Sequence, residues 1–256
     1  MTVPDYTPEL TPVESIGGVW LKRDDLYAVA GVRGGKVRTC WHLARGATGL
    51  VTAGSRASPQ VNIVAHIAAR LGIPCRVHVP TGELSPEVVA ARDAGAEVIQ
   101  HFPGHNVVIV SRAADDARGR PGWKNIPFGM ECHEAVRQTA NQVRNLPPEA
   151  ERIVIPVGSG MSLAGVLTGM QRFRITTPVL GVVVGADPTK RLYRYAPAAW
   201  RVTATLEPAG VDYHTPKPGR VGPVTLDPIY GGKCLPFVRP GDVLWCVGIR
   251  ATVDQN

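Results

Sequence analysis

No stretch of the 256 residues approaches the roughly 20 consecutive apolar side chains that a membrane-crossing helix needs, although hydrophobic types make up 44% of the chain. A soluble globular protein with no membrane partner is expected. The opening MTVPDYTPELTPVES has neither a basic start nor an apolar core, so no secretion signal is expected and the cytoplasm is the default location. Five cysteines, Cys40, Cys75, Cys132, Cys234 and Cys246, form no CxxC pair and are odd in number, which argues against a disulfide framework or a zinc knuckle. His101 and His105 have the spacing of a helical metal pair, but Pro103 and Gly104 between them spoil the helix, and no metal site is expected. Internal repeats and low-complexity tracts are absent. Acidic residues are outnumbered, giving a net charge of +7. That excess suits anionic ligands or a weak hold on nucleic acid, yet the basic residues read as scattered, the pattern of a solvated surface.

What is present is an alternation of apolar, β-branched runs with segments of helical period, the rhythm of βαβ units. It begins with a strand over Leu50 to Gly54 and a helix from Pro59 to Leu71. A strand over Cys75 to Pro80, a helix near Ser85 to Ala94, a strand over Glu97 to Phe102 and a helix from Asn106 to Arg118 continue it. A turn-rich stretch with one short strand follows, then a long helix predicted over Glu131 to Asn145 and the break LPPEAE. A second series opens with the strand Arg152 to Val157, a helix ending near Phe173 and the apolar strand Pro178 to Ala186. Asp187 to Gly241 has weak periodicity, and Asp242 to Ile249 reads as a last core strand. The fold class is α/β: two intimate subdomains, each on a mainly parallel sheet flanked by helices. Residues 1–45 with 146–256 form the larger, and 46–145 the smaller inserted one.

Three stretches carry chemistry. In RGGKVRTCWHLA, Gly34 and Gly35 permit a tight turn, and Lys36 stands at a helix start with Val37, Trp41 and Ala44 on one face. The helix dipole disfavours a cation there, which helps keep the amine neutral and nucleophilic; an ordinary surface lysine is the competing reading. In VIPVGSGMSLAG, a buried strand runs into Gly158, Ser159 and Gly160 and then a helix near Ser162. Backbone N–H groups and serine hydroxyls there can bind phosphate without a charged side chain, although a plain βα turn, a dinucleotide site or an S-adenosylmethionine site has the same look. In TAGSRASPQVN, the loop after a strand leads into a helix where Ser58 and Gln60 can face a cofactor and bind a substrate carboxylate. Ser58 is equally a helix cap with Pro59 at the first position.

In this order, the segments from Val19 to Ile249 resemble the fold-type II pyridoxal-phosphate enzymes of the tryptophan synthase β-like superfamily. The nearest branch is that of 1-aminocyclopropane-1-carboxylate deaminase and D-cysteine desulfhydrase. VWLKRDDL is similar to the family's KRDDL stretch, and RGGKVR to the motif carrying its Schiff-base lysine, which falls on Lys36. GSRASPQVN occupies the place of a loop whose serine takes part in proton transfer, so the resemblance gives Ser58 that role. IPFGMECHEAV is similar to a strand end of the family, and GSGMSLAG to its phosphate cup, implying contacts from Gly158, Ser159, Gly160, Met161 and Ser162. LDPIYGGK resembles the segment whose tyrosine stands beside the cofactor ring, here Tyr230.

The resemblance implies pyridoxal 5′-phosphate as cofactor, a small amino-acid substrate, α,β-elimination or β-replacement as lyase or deaminase chemistry, and a homodimer. Departures bear on the reaction. Gly35 replaces an asparagine that bonds the cofactor's phenolic oxygen, Gly231 stands where relatives contact the pyridine nitrogen, and the final strand ends VGIR where the family often has HTGG. A ring nitrogen left unprotonated is a poorer electron sink, which favours elimination or replacement over chemistry needing a long-lived carbanion. The chain is also shorter than typical members after Pro188. Two alternatives accompany this reading: the same cofactor acting on an aminoacylated nucleotide or nucleic-acid base, and a Rossmann-like nucleotide or S-adenosylmethionine binder without the cofactor. A degenerate protein that only binds partners is a further possibility.

Overall fold

A computed structural model describes residues 4–55, 58–102 and 104–250. They form two compact units, one containing Ala28–Glu131 and the other Pro8–Tyr27 and Cys132–Ile249. Their borders fall at 27/28 and 131/132, where the sequence reading places them at 45/46 and 145/146. β1 (Val13–Ile16) and β2 (Val19–Lys22) open the second unit.

The first unit carries Lys36 and is called the lysine unit. It starts with a hairpin of β3 (Ala28–Val29) and β4 (Val32–Gly34), whose turn holds Ala30 and Gly31 at positive φ. α1 (Gly35–Ala44) follows, then β5 (Gly49–Ala53), α2 (Pro59–Leu71), β6 (Cys75–Pro80), α3 (Pro86–Asp93), β7 (Glu97–His101), α4 (Asn106–Arg118) and β8 (Trp123–Ile126). The last four strands are parallel in the order β7-β6-β5-β8. α1 packs on α2 and β8, which is why the segment around Lys36 sorts with this sheet. The chain leaves β5 toward β6 on one side, while β8 lies on the other. This is a topological switch point, where open α/β sheets hold ligands, and Ser58 follows the loop there.

A hydrogen-bonded relay ties β6 and β7 to α4. Arg112 donates to His101 Nδ1 at 2.8 Å, His101 Nε2 and His78 Nδ1 lie 2.8 Å apart, and His78 Nε2 is 3.0 Å from Asp116 Oδ2. Arg76 and Arg120 also bond that carboxylate. Because a guanidinium only donates, His101 must donate through Nε2 and His78 through its own Nε2, so both rings are neutral. Burial, with repulsion from the neighbouring ring and Arg112 at His101, and from Arg76 at His78, lowers both histidine pKa values. His101 ends β7 and His105 precedes α4, so the HxxxH spacing never shares a helix.

In the second unit, the glycine-loop unit, α5 (His133–Asn141) leads to β9 (Arg152–Val157), α6 (Met161–Phe173), β10 (Val179–Val183), α7 (Thr189–Tyr195) and α8 (Trp200–Thr203). β11 (Ala204–Pro208), a hairpin of β12 (Gly219–Val221) and β13 (Val224–Leu226), α9 (Gly231–Cys234), β14 (Asp242–Trp245) and β15 (Gly248–Ile249) complete it. The main sheet runs β1-β2-β14-β9-β10-β11 and is parallel apart from β1. β9 and β14 are almost wholly buried, as strands covered on both faces must be.

The KRDD run is folded inward here. Lys22 is fully buried, its Nζ donating to Thr11 O and Asn145 Oδ1, each at 2.7 Å. Arg23 grips Asp25 through two nitrogens at 2.9 Å and also bonds Glu14. Asp24 accepts from Trp245 Nε1 and from the Thr11 hydroxyl. The single helix predicted over Glu131 to Asn145 tightens into a 3-10 turn at Gln142–Asn145, where the side chains of Gln142 and Asn145 join this network. Two further differences mark the weakly periodic region. β11 is an edge strand with one buried residue, so it shows no apolar run, and the last strand is broken between Trp245 and Gly248.

α5 and α6 approach closely because α6 presents Gly165 and Gly169 to α5: a Cβ at Gly169 would collide with the Ala140 carbonyl, and one at Gly165 with Thr139. Gly169→Ala should therefore cost about 1–3 kcal/mol by overpacking, read as a lower urea midpoint, while Gly119→Ala, with no neighbour nearer than 3.6 Å, leaves it nearly unchanged. The relay makes a second prediction. His78 and His101 are neutral when folded but take up protons below about pH 6.5 when unfolded. Stability should be full above that pH and fall as pH drops through the lowered folded values. Urea midpoints at pH 7.5 and 5.5 should differ more for the natural chain than for His78→Asn with His101→Asn; an equal drop in both would discard the relay as its cause.

Candidate functional site

Lys36 is the second residue of α1, which begins just after Gly34, whose φ of 120° few other residues adopt. Val37, Cys40 and Ala44 point into the core and Trp41 is only half-buried, so the inner face is turned slightly from the one read in the sequence. Lys36 itself is deeply set while keeping part of its surface accessible. Loss of hydration, followed by the nearby positive charge of Arg250, brings its amine down to about 8. The first turn of a helix adds to the same preference for the neutral form. At neutral pH such an amine offers a far larger neutral fraction than a surface lysine.

At the switch point of the same sheet, Ser58 caps α2, its Oγ accepting from Gln60 N at 3.3 Å, and Pro59 takes the first helical position. Its neighbours Arg56 and Ala57 in the loop lie outside the described residues. Gln60 is fully buried and used internally: Nε2 donates to Thr52 Oγ1 at 2.9 Å and to Pro127 O at 2.8 Å. Both amide hydrogens are thus spent on joining β5 to the end of β8. Only Oε1 is without a partner among the described residues, and an acceptor cannot bind the substrate carboxylate once expected of it.

The second cluster lies in the glycine-loop unit. β9 ends at Val157, Gly158 and Ser159 form the loop, Gly160 turns with φ 89° and α6 begins at Met161. Ser162 is half-buried on the first turn. A helix start leaves backbone N–H groups without intrahelical partners, and the loop is walled closely: a Cβ at Gly158 would lie 3.0 Å from Tyr230 Cε1, and one at Gly160 3.0 Å from Pro188 Cβ. A side chain at either glycine would crowd these neighbours, and the positive φ of Gly160 disfavours one further.

Tyr230 is placed by its own segment. Asp227 accepts from the N–H groups of Ile229 and Tyr230 through one carboxylate oxygen, and Gly232 N donates to Asp227 O. The Tyr230 hydroxyl is 3.1 Å from that of Tyr213, which sequence reasoning missed because it sits in a Pro- and Gly-rich stretch without periodicity. Tyr213 is tethered in turn by buried Lys233, whose Nζ donates to Asp212 O at 2.7 Å and Tyr213 O at 2.9 Å. Gly185 lies against both Tyr213 and Gly158. The YGGK run is legible as the source of this tether only once the turn is seen: a side chain on Gly232 would strike the Lys217 carbonyl. Among the described residues no group of three or more His, Cys, Asp or Glu side chains could hold a metal, and no helix is long and apolar enough to cross a membrane.

The lowered amine predicts a titration. When cofactor-free protein is reductively methylated from pH 6 to 10, modification of Lys36 should rise with a midpoint near 8. A short lysine-containing peptide added to the same reaction should follow only near the ordinary lysine range, about 10.4. Peptide mass spectrometry separates the two, and coincident curves would contradict the environment described for Lys36.

A lysine with a lowered amine and a glycine cradle at a helix start are the parts an aldehyde cofactor with a phosphate arm requires, and comparison with known proteins agrees. The chain is 25% identical over 294 aligned positions to D-cysteine desulfhydrase of Yersinia enterocolitica, covering 93% of this chain and 87% of that protein. It is 25% identical to 1-aminocyclopropane-1-carboxylate deaminase of Rhizobium radiobacter, with 73% and 63% covered. With L-threonine ammonia-lyase of Geobacter sulfurreducens it shares 30% over 145 residues, spanning 56% of this chain and about a third, 35%, of that protein. The crystal structure of a homologue of the 1-aminocyclopropane-1-carboxylate deaminase superposes with a TM-score of 0.80 at 21% identity, over 96% of this chain and 91% of the other, a likeness of fold. The family described as pyridoxal-phosphate dependent enzyme matches residues 7–220, and the chain belongs to it.

Proposed function

We propose that this chain is a pyridoxal-phosphate dependent lyase or deaminase that carries out α,β-elimination or β-replacement on a small amino acid. The observation that carries the reading is the amine of Lys36, deeply set at a helix start and brought down to about 8. Support for the substrate class comes from the matched proteins, named for 1-aminocyclopropane-1-carboxylate, D-cysteine and L-threonine, all small amino acids. A nucleotide- or S-adenosylmethionine-binding protein without this cofactor gains no support from the family match.

When bound, pyridoxal phosphate supplies an electrophilic aldehyde and a ring that withdraws electron density from a substrate's Cα. Lys36 Nζ, neutral in a large fraction of molecules, is the residue that would hold the cofactor covalently, and its amine could accept and return a substrate proton. Backbone N–H groups of Gly158, Ser159, Gly160 and Met161, with the hydroxyls of Ser159 and Ser162, bind the phosphate. Ser58 Oγ exchanges its capping bond for proton transfer to the substrate. The Tyr230 phenol, hydrogen-bonded to that of Tyr213, would stand beside the cofactor ring, and either hydroxyl can be the donor of their shared bond. Gly231 brings no side chain to the pyridine nitrogen, which favours elimination or replacement over chemistry needing a long-lived carbanion. A homodimer is part of this reading.

Reconstituted protein should show a visible absorbance band that borohydride removes, leaving the cofactor on Lys36 in peptide mass spectra. Lys36→Ala should lose the band and lower keto-acid release from D-cysteine, 1-aminocyclopropane-1-carboxylate or L-threonine by at least about 10²-fold. A variant that keeps the band would refute Lys36 as the attachment point.

A further inference from the structure

The basic residues are less scattered than the sequence suggests. Residues 172–220 hold eight Lys and Arg against three acids, and so contain five of the chain's seven net positive charges. On the β10-to-β11 crossover, where α7 and α8 flank the edge strand, Lys190, Arg194 and Arg201 are exposed, and Asp187 is the one acid from 187 to 201. Asp187 is itself exposed, accepts from Thr189 N and lies near enough to Arg201 to interact with its charge.

Aromatic rings are interleaved with these cations. Arg201 donates to the Tyr193 hydroxyl at 2.9 Å and lies 4.5 Å from the Trp200 ring and 5.6 Å from that of Tyr193. Arg194 lies 5.0 Å from the Tyr195 ring. Trp200 is buried and meets Tyr193 edge-on at 5.8 Å, which anchors the Tyr193 ring while leaving that residue 59% exposed. Leu192, the one aliphatic residue of α7, is fully buried, so this helix has no aliphatic face to insert into a lipid surface.

An anchored, exposed ring between guanidinium and ammonium groups combines the two elements that hold single-stranded nucleic acid: a π-face for a base, and fixed positive charge for the phosphates on either side. We infer that the α7–α8 crossover is a binding surface for single-stranded nucleic acid, with Tyr193 stacking on a base and Lys190, Arg194 and Arg201 meeting the flanking phosphates. The surface adjoins the glycine loop, since Pro188 and Leu192 are the residues that wall Gly160. It does not depend on the proposed reaction and is tested without it.

The experiment is fluorescence anisotropy of labelled 20-residue oligo-dT and oligo-U with the full chain, carrying its cofactor, at 50 and 200 mM salt. Three phosphate contacts on a single strand give a log–log salt slope of about 2, so affinity should fall roughly 20-fold between the two conditions. Replacing Lys190, Arg194 and Arg201 together by Gln should weaken binding at least about tenfold at 50 mM salt, and Tyr193→Ala at least about fivefold. Arg70, Arg92 and Arg118, exposed on the lysine unit, serve as the control when changed together to Gln and should leave affinity unchanged. Circular dichroism confirms that the variants fold. Binding of either oligonucleotide with this pattern supports the surface. No binding at 50 mM salt, equal losses in the control, or an unaffected Tyr193→Ala would overturn it, the last by reducing the contact to undirected charge.

Discussion

The glycine-loop unit is organised by the need to pair four charges that the chain takes out of water. Burying an unpaired ion costs several kcal/mol, so Lys22, Arg23, Asp24 and Asp25 tolerate few arrangements of their surroundings. Thr11, Glu14, Asn145 and Trp245 are the partners. Together they fix β1 against β2, the end of α5 beneath Thr11, and Trp245 on β14 beside Asp24. β14 pairs on its other side with β9, and β9 delivers the glycine loop. Restraints on a polar cluster at one edge thus reach the glycine loop through three neighbouring strands, β2, β14 and β9.

Close approach is the second organising principle, and glycine is its means. Gly165 and Gly169 let α6 lie against α5, Gly158 leaves room beneath Tyr230, and Gly232 lets the chain at Lys217 pass. In each case a missing Cβ lets backbone do what a side chain would otherwise prevent. The loop at 158–160 is therefore closely packed against Tyr230, Pro188 and Leu192.

Much of this was legible in the sequence. The helices Pro59–Leu71 and Asn106–Arg118 and the strands Cys75–Pro80 and Arg152–Val157 have the predicted bounds, because apolar period and flanking turn residues agree there, with a proline at the first position of Pro59–Leu71. Lys36 and the loop at Gly158 were readable because glycine neighbours mark them. What escaped depends on distant partners: β11 needs β10 beside it, and the Gln142–Asn145 turn needs Thr11 and Lys22. Tyr213 becomes meaningful only when Lys233 draws it to Tyr230. Gln60 looked like a ligand-facing amide because sequence shows a polar residue after a strand, and cannot show that Thr52 and Pro127 have already claimed it.

The chain draws its positive charge from 22 arginines and only six lysines. Two of those lysines, Lys22 and Lys233, are sealed in and hydrogen-bonded, and Lys124 donates to the Arg45 carbonyl. Guanidinium groups stay protonated in water and do not condense with aldehydes as free amines do. Charge carried mostly by guanidinium groups lets the surface attract anions while few amines compete for an aldehyde: besides Lys36, the exposed lysines are Lys124, Lys190 and Lys217.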